Sequence, residues 1–233
     1  MPPRLLVGAV FGATPLAERF ERAGHTVRPL DIHDDPGAVA HVDLVLLDGP
    51  SADIRAACER VADHARPRQM FLHTALEEGQ QLLDDVETSH AITMCAHNIF
   101  DNVWVTSAAD ELGETVVGLL IAEIGGVSFH IADQARPAIA AAQELRAMEA
   151  VVRDDALELL TQAVPGFDAF APQFLHAPAG PRTTRSPARL EQLVQAVPDP
   201  GAKRLFVDLV RRRGEVDGDT DTELWAIHKY EGG

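Results

Sequence analysis

The chain has 233 residues, enough for one large domain or two small ones with a core that needs no disulfide or metal. Apolar residues make up 46% and charged residues 24%, a globular composition that excludes long disorder. Asp and Glu number 36 against 20 Lys and Arg, so the formal charge is −16, which argues against nucleic acid or an anionic membrane as a partner.

Leu5–Val10 is a buried-strand run leading into a helix over Thr14–Ala23, where Leu16, Phe20 and Ala23 fall at helical spacing and Pro15 suits the first turn. Gly24 stops that helix. Strands follow over His25–Leu30 and Asp43–Leu47, then a helix over Ile54–Arg66 and a strand over Gln69–His73. A helix over Glu77–Asp85 precedes strands over Ala91–Cys95 and Val103–Thr106. Glu114–Ile124 is an amphipathic helix stopped by Gly125 and Gly126, and Val127–Ile131 is one more strand. Strands alternating with helices predict βαβ units and a mostly parallel sheet, an α/β fold.

The pattern changes at Asp133. From there to Val164 the residues are helix formers, Pro165–Pro187 reads as loop, and Arg189–Val197 and Ala202–Arg213 read as shorter helices. Gly214–Thr222 is acidic and turn-rich. The expected organisation is a Rossmann-like sheet domain over 1–133 and a short all-helical domain over 134–233. Two cysteines, Cys58 and Cys95, make neither a disulfide framework nor a four-thiolate site, and no metal is expected. Met1-Pro2-Pro3-Arg4 begins no signal peptide and no apolar stretch reaches membrane-spanning length, so the expected location is cytoplasmic.

The turn after the first strand is where a dinucleotide fold places its glycines. The fingerprint positions are Gly8, Val10 and Ala13. Val10 puts a β-branched side chain where a phosphate needs close backbone approach, and Gly12 can shift the turn to compensate. Asp31, 18 residues past Ala13, is placed to accept from an adenosine ribose and to repel a 2′-phosphate, which favours NAD over NADP. His73 and His97, at the carboxyl ends of the fourth and fifth strands, are candidate proton-exchanging groups.

The serial order of Leu5–Val27, Asp43–Pro50, Phe71–Thr74, Ala96–Phe100 and Ile124–Gly126 followed by Asp133–Arg136 resembles the 6-phosphogluconate dehydrogenase-like superfamily, near the pyrroline-5-carboxylate and ketopantoate reductases. The resemblance covers residues 4–145. It implies an NAD(P)-dependent oxidoreductase acting on a small carbonyl or imine substrate in a cleft between domains. Gly8, Val10, Gly12, Ala13, Asp31, Gly49, Pro50 and Thr74 would then serve the cofactor, Asn98 and Arg136 the substrate, and His73 and His97 the chemistry. The departures are specific. The superfamily's His-Pro pair is His97-Asn98 here, and the long helix has neither the Lys nor the Asn on which the β-hydroxyacid dehydrogenases rely. The alternative reading is a Rossmann-like ligand-binding or dimeric interaction protein without hydride chemistry, and Val10 separates the two. Ile139, Leu145, Met148, Val152, Leu157 and Leu160 give the long helix a wide apolar arc, which predicts a homodimer through the helical domain.

Overall fold

A computed structural model describes residues 4–178 and 186–231. Met1–Pro3, and residues 179–185 of the expected loop, lie outside the described residues. The chain forms two compact units, 1–144 and 145–233.

The first unit is a seven-stranded sheet in the order β2-β1-β3-β4-β5-β6-β7. The strands are β1 (Leu6–Ala9), β2 (Thr26–Pro29), β3 (Leu44–Leu47), β4 (Met70–His73), β5 (Ile92–Phe100), β6 (Val103–Ala108) and β7 (Val127–His130). All neighbours pair in parallel except β5 and β6. All seven strands stand where the apolar runs predict them. β3 is buried at every position because helices cover both faces of the sheet. On one face Leu44, Leu46, Leu72 and Met94 pack with Leu16 and Phe20 of α1 (Pro15–Arg22). On the other, Val45, Leu47 and Phe71 pack with Ile54, Ala57 and Val61 of α2 (Ser51–Val61).

Four local readings are corrected, the last two of them in the second unit. β5 does not stop at Cys95 but runs to Phe100 and folds back on β6. His97 and Asn98 break the apolar run in the sequence, yet antiparallel pairing satisfies their backbone, and Asp101 takes the tight turn at φ 45°. The helix expected over Glu77–Asp85 is a 3-10 turn over Gln80–Leu83 and a single helical turn, α3 (Asp84–Glu87). Gly79, directly before it, fits closely: a Cβ there would meet the Asp133 carboxylate at 2.7 Å. The expected loop after Pro165 holds a 3-10 turn over Phe167–Phe170 and a short helix.

After α4 (Glu111–Glu123) and β7 comes α5 (Arg136–Ala163), whose first two turns belong to the sheet unit. The second unit holds the rest of α5 with α6 (Ala171–His176), α7 (Pro187–Gln195), α8 (Pro200–Asp217) and α9 (Thr220–Glu231). Val194, Val207 and Ala226 form its core, flanked by Phe206 and Trp225. The stretch read as acidic turns is mostly helix. α8 continues to Asp217, Gly218 ends it at φ 68°, and the Asp219 carboxylate accepts from Thr222 N at 3.1 Å. Gly214 lets α9 approach, since a Cβ there would lie 2.9 Å from Glu223 N.

Candidate functional site

Parallel strands bring their carboxyl ends to one edge, and in open α/β sheets ligands bind there, where the strand order reverses. In this sheet the reversal lies at β1, flanked by β2 on one side and β3 on the other. The chain leaves β1 through Val10–Ala13, with Gly12 at φ 79°, and enters α1 under a Thr14 cap whose hydroxyl accepts from Ala17 N at 3.2 Å. Gly8 is required by packing: a Cβ there would lie 2.3 Å from Leu30 Cδ1. Val10 and Phe11 turn against the core beside α2, and the Phe11 ring lies so close over Gly49 that a Cβ there would meet it at 2.8 Å.

Two cavities flank this turn. The larger, about 520 Å³, is lined by Val10, Phe11, Gly12, Asp31, His33 and Arg60, among others. Asp31 Oδ1 accepts from the backbone N–H groups of His33 at 3.0 Å and Asp34 at 3.2 Å. The smaller, about 240 Å³, is lined by Pro15, Leu16, Arg19, Asp48, Thr74, His97, Asn98 and Trp104. Ala13 lines a third hollow of about 190 Å³ with Gly12 and Ala17, and Pro50 caps α2 from an exposed position.

A polar chain crosses the smaller cavity. The Thr74 hydroxyl donates to Asp48 Oδ1 at 2.8 Å. The Thr74 carbonyl accepts from His97 Nδ1 at 2.9 Å. His97 Nε2 lies 3.1 Å from Gln143 Oε1, while the Gln143 amide nitrogen faces the carbonyls of Asn98 and Ile99, both at 3.4 Å. The Thr74 carbonyl can only accept, so Nδ1 donates to it, and Nε2 is left facing the Gln143 side chain. Arg19 lies over the Trp104 ring at 5.6 Å and donates to Asn102 Oδ1 at 2.8 Å. The Asn98 amide is spent on the hairpin, donating to the carbonyls of Asp101 and Val103.

His73 and Arg136 stand elsewhere. His73 is fully buried, with Nε2 3.2 Å from the Gly79 carbonyl and Nδ1 without a partner among the described residues. Burial, and then the Arg136 cation, lower its pKa to about 4, so the ring is neutral at pH 7. Arg136 is buried too, and its guanidinium is taken up by Asp133, the Leu76 carbonyl, the Ser107 hydroxyl and Cys95 Sγ. Burial holds the Cys95 thiol above its ordinary range against the opposing pull of Arg136. Cys95 thus packs as a small buried side chain.

Thr74, His97 and Asn98 are brought together as expected. Asp48, Arg19 and Gln143 join them without having been singled out. Asp48 reads as a turn residue before Gly49-Pro50, and Gln143 follows a run of alanines on α5. The available signal was position: Asp48 stands one residue beyond a strand end, and Gln143 lies two helical turns from Arg136.

Residues 132–229 match the family model of the 6-phosphogluconate dehydrogenase C-terminal domain-like family. No curated protein matches the chain. Among solved structures, a proposed NADP oxidoreductase of Bacteroides fragilis is similar with a TM-score of 0.66 at 13% identity, over 91% of this chain and 98% of that one. An imine reductase of Streptomyces aurantiacus is similar with a TM-score of 0.59 at 13% identity, over 97% and 99%. A 3-hydroxyisobutyrate dehydrogenase of Mycobacterium tuberculosis is similar with a TM-score of 0.55 at 17% identity, over 98% and 93%. The chain thus joins a Rossmann-like sheet to a region that matches the 6-phosphogluconate dehydrogenase C-terminal domain-like family.

Proposed function

We propose that this chain is an NAD(P)-dependent oxidoreductase acting on a small carbonyl or imine substrate. The observation that carries this reading is the pair of cavities on either side of the β1 end, with the start of α1 between them. Their residues fit a dinucleotide. The larger cavity, with Asp31 at its wall, suits the adenosine half. The first turn of α1 suits the pyrophosphate, helped by Gly12, whose surroundings are open: a Cβ there would meet nothing within 4 Å. The smaller cavity suits the nicotinamide end and the substrate. The cofactor, when bound, supplies or takes the hydride.

The chain's own residues do the rest. His97 exchanges the proton on the substrate through Nε2, because the ring lines the cavity and its Nε2 faces only a side chain, that of Gln143, which a substrate oxygen can displace. His73, closed to solvent and to both cavities, is a packing residue in this account. Arg136 holds the start of α5 against β5 and β6 in place of a substrate carboxylate. Asn98 and Thr74 line the substrate side, and Trp104 forms an apolar wall. Asp31 favours NAD over NADP. The exposed Leu145, Met148 and Val151 of α5 favour a homodimer in which a second copy covers them.

Calorimetric titration of the purified protein with NADH tests the reading. Saturable heat is expected, together with a melting temperature that rises with ligand: at a hundred times Kd the gain is about 2.7 kcal/mol. Absence of both favours the alternative of a Rossmann-like protein without a dinucleotide.

A further inference from the structure

β1 sits between two strands that end alike. Ala9, its last residue, pairs with Pro29 of β2 and with Leu46 of β3. Two residues beyond Pro29 stands Asp31, and two residues beyond Leu46 stands Asp48. The two aspartates occupy matched places on opposite sides of the β1 end, one at the wall of each cavity.

Their hydrogen bonding is matched as well. Each carboxylate commits one oxygen to the protein and leaves the other without a protein donor among the described residues. Asp31 Oδ1 takes the N–H groups of His33 and Asp34, and Asp48 Oδ1 takes the Thr74 hydroxyl. Neither aspartate is in an ion pair among the described residues. A carboxylate oxygen at a cavity wall that takes no protein donor is open to a donor that a ligand brings. A vicinal diol brings two hydroxyl donors at the spacing of a carboxylate's oxygens, and no negative charge.

We propose that Asp48 is a second ribose-reading carboxylate: Asp31 takes the adenosine ribose and Asp48 takes the hydroxyls of the ribose on the nicotinamide side. This rests on the dinucleotide reading above. Thr74 is then a positioning residue, whose hydroxyl fixes the Asp48 carboxylate so that Oδ2 faces the cavity. The chain would read a dinucleotide as two ribose diols related by the local symmetry of β2 and β3 about β1.

Titration calorimetry with ADP, which carries only the adenosine half, and with NADH, which carries both riboses, separates the roles. Asp48→Ala is expected to weaken NADH by about tenfold or more, the loss of hydrogen bonds to a charged group, while ADP affinity stays within a factor of two. Asp31→Ala is expected to weaken both ligands. Asp48→Asn, which keeps a side-chain oxygen for Thr74, guards against a folding defect, and it should weaken NADH selectively at an unchanged melting temperature. NADH affinity unchanged in both Asp48 variants overturns the inference, as does an equal loss for ADP. Wild-type protein that binds ADP but not NADH also overturns it. Wild-type protein that binds neither overturns the dinucleotide reading itself.

Discussion

Gln143 reaches His97 from α5: its side-chain oxygen lies 3.1 Å from Nε2, seven residues on from Arg136. Seven residues are two helical turns, so both side chains leave the same face of α5. Arg136 grips Cys95 and Ser107, a pair matched across β5 and β6, and Gln143 meets His97 two residues further along β5. The first two turns of α5 are thereby anchored along the strand that carries His97.

Arg136→Ala should therefore be costly. It leaves the Leu76 carbonyl and the Ser107 hydroxyl without their partner in a buried place, and about 3 kcal/mol of stability should be lost. Arg136→Lys should not restore it, because a point cation cannot match the guanidinium fork. Urea unfolding of both variants measures this, and a loss under 1 kcal/mol for Ala counts against the anchoring role.

His73 predicts an acid limb in stability. Its folded pKa of about 4 lies below the unfolded value near 6.5, so protonation favours unfolding. The contribution is whole above about pH 6.5 and is lost as pH falls towards 4, to a total of about 3 kcal/mol. Melting temperatures from pH 7 to 4 should fall, and His73→Leu should flatten that fall. An unchanged slope in the variant would show that other groups set the acid limb.

Val10 bears on the phosphate turn. Val10→Gly removes a β-carbon from the loop beside Gly12 and should strengthen NADH binding, at a stability cost of about 1 kcal/mol from lost packing against the core beside α2. If the folded variant binds no more tightly, Val10 does not obstruct the turn.

Light scattering at micromolar concentration tests the dimer. The expected mass is twice the 25.2 kDa of one chain, and substituting Leu145 and Met148 by Glu should return it to one. A wild-type mass of one chain rejects the dimer.

The sheet was legible because each strand is a short apolar run bounded by turn residues, and β1 to β7 follow those runs in order. α9 was not, because the Asp-rich stretch before it reads as turns, while its Asp219 cap and the close fit at Gly214 depend on two helices meeting. The site was legible in part for a related reason. His97 and Thr74 follow from strand ends, whereas Asp48 gains meaning only from the Thr74 hydroxyl of the neighbouring strand, and Gln143 only from α5 lying along β5. Residue spacing conveys neighbours along one element; partners between elements emerge from register.

Asp31 predicts a cofactor preference. NADH should bind more tightly than NADPH, because a 2′-phosphate would face a carboxylate, and Asp31→Ser should narrow the difference. Equal or tighter NADPH binding to the wild type removes Asp31 from that role.

A dinucleotide lying across both cavities, with its nicotinamide at the smaller one, should reveal itself by energy transfer from tryptophan to NADH. Trp104 lines that cavity, and Trp225 packs in the core of the second unit. NADH should quench tryptophan emission and gain sensitised emission of its own. Trp104→Phe should lower that transfer. No transfer in the wild type at saturating NADH, or a signal that survives Trp104→Phe in full, would contradict the account.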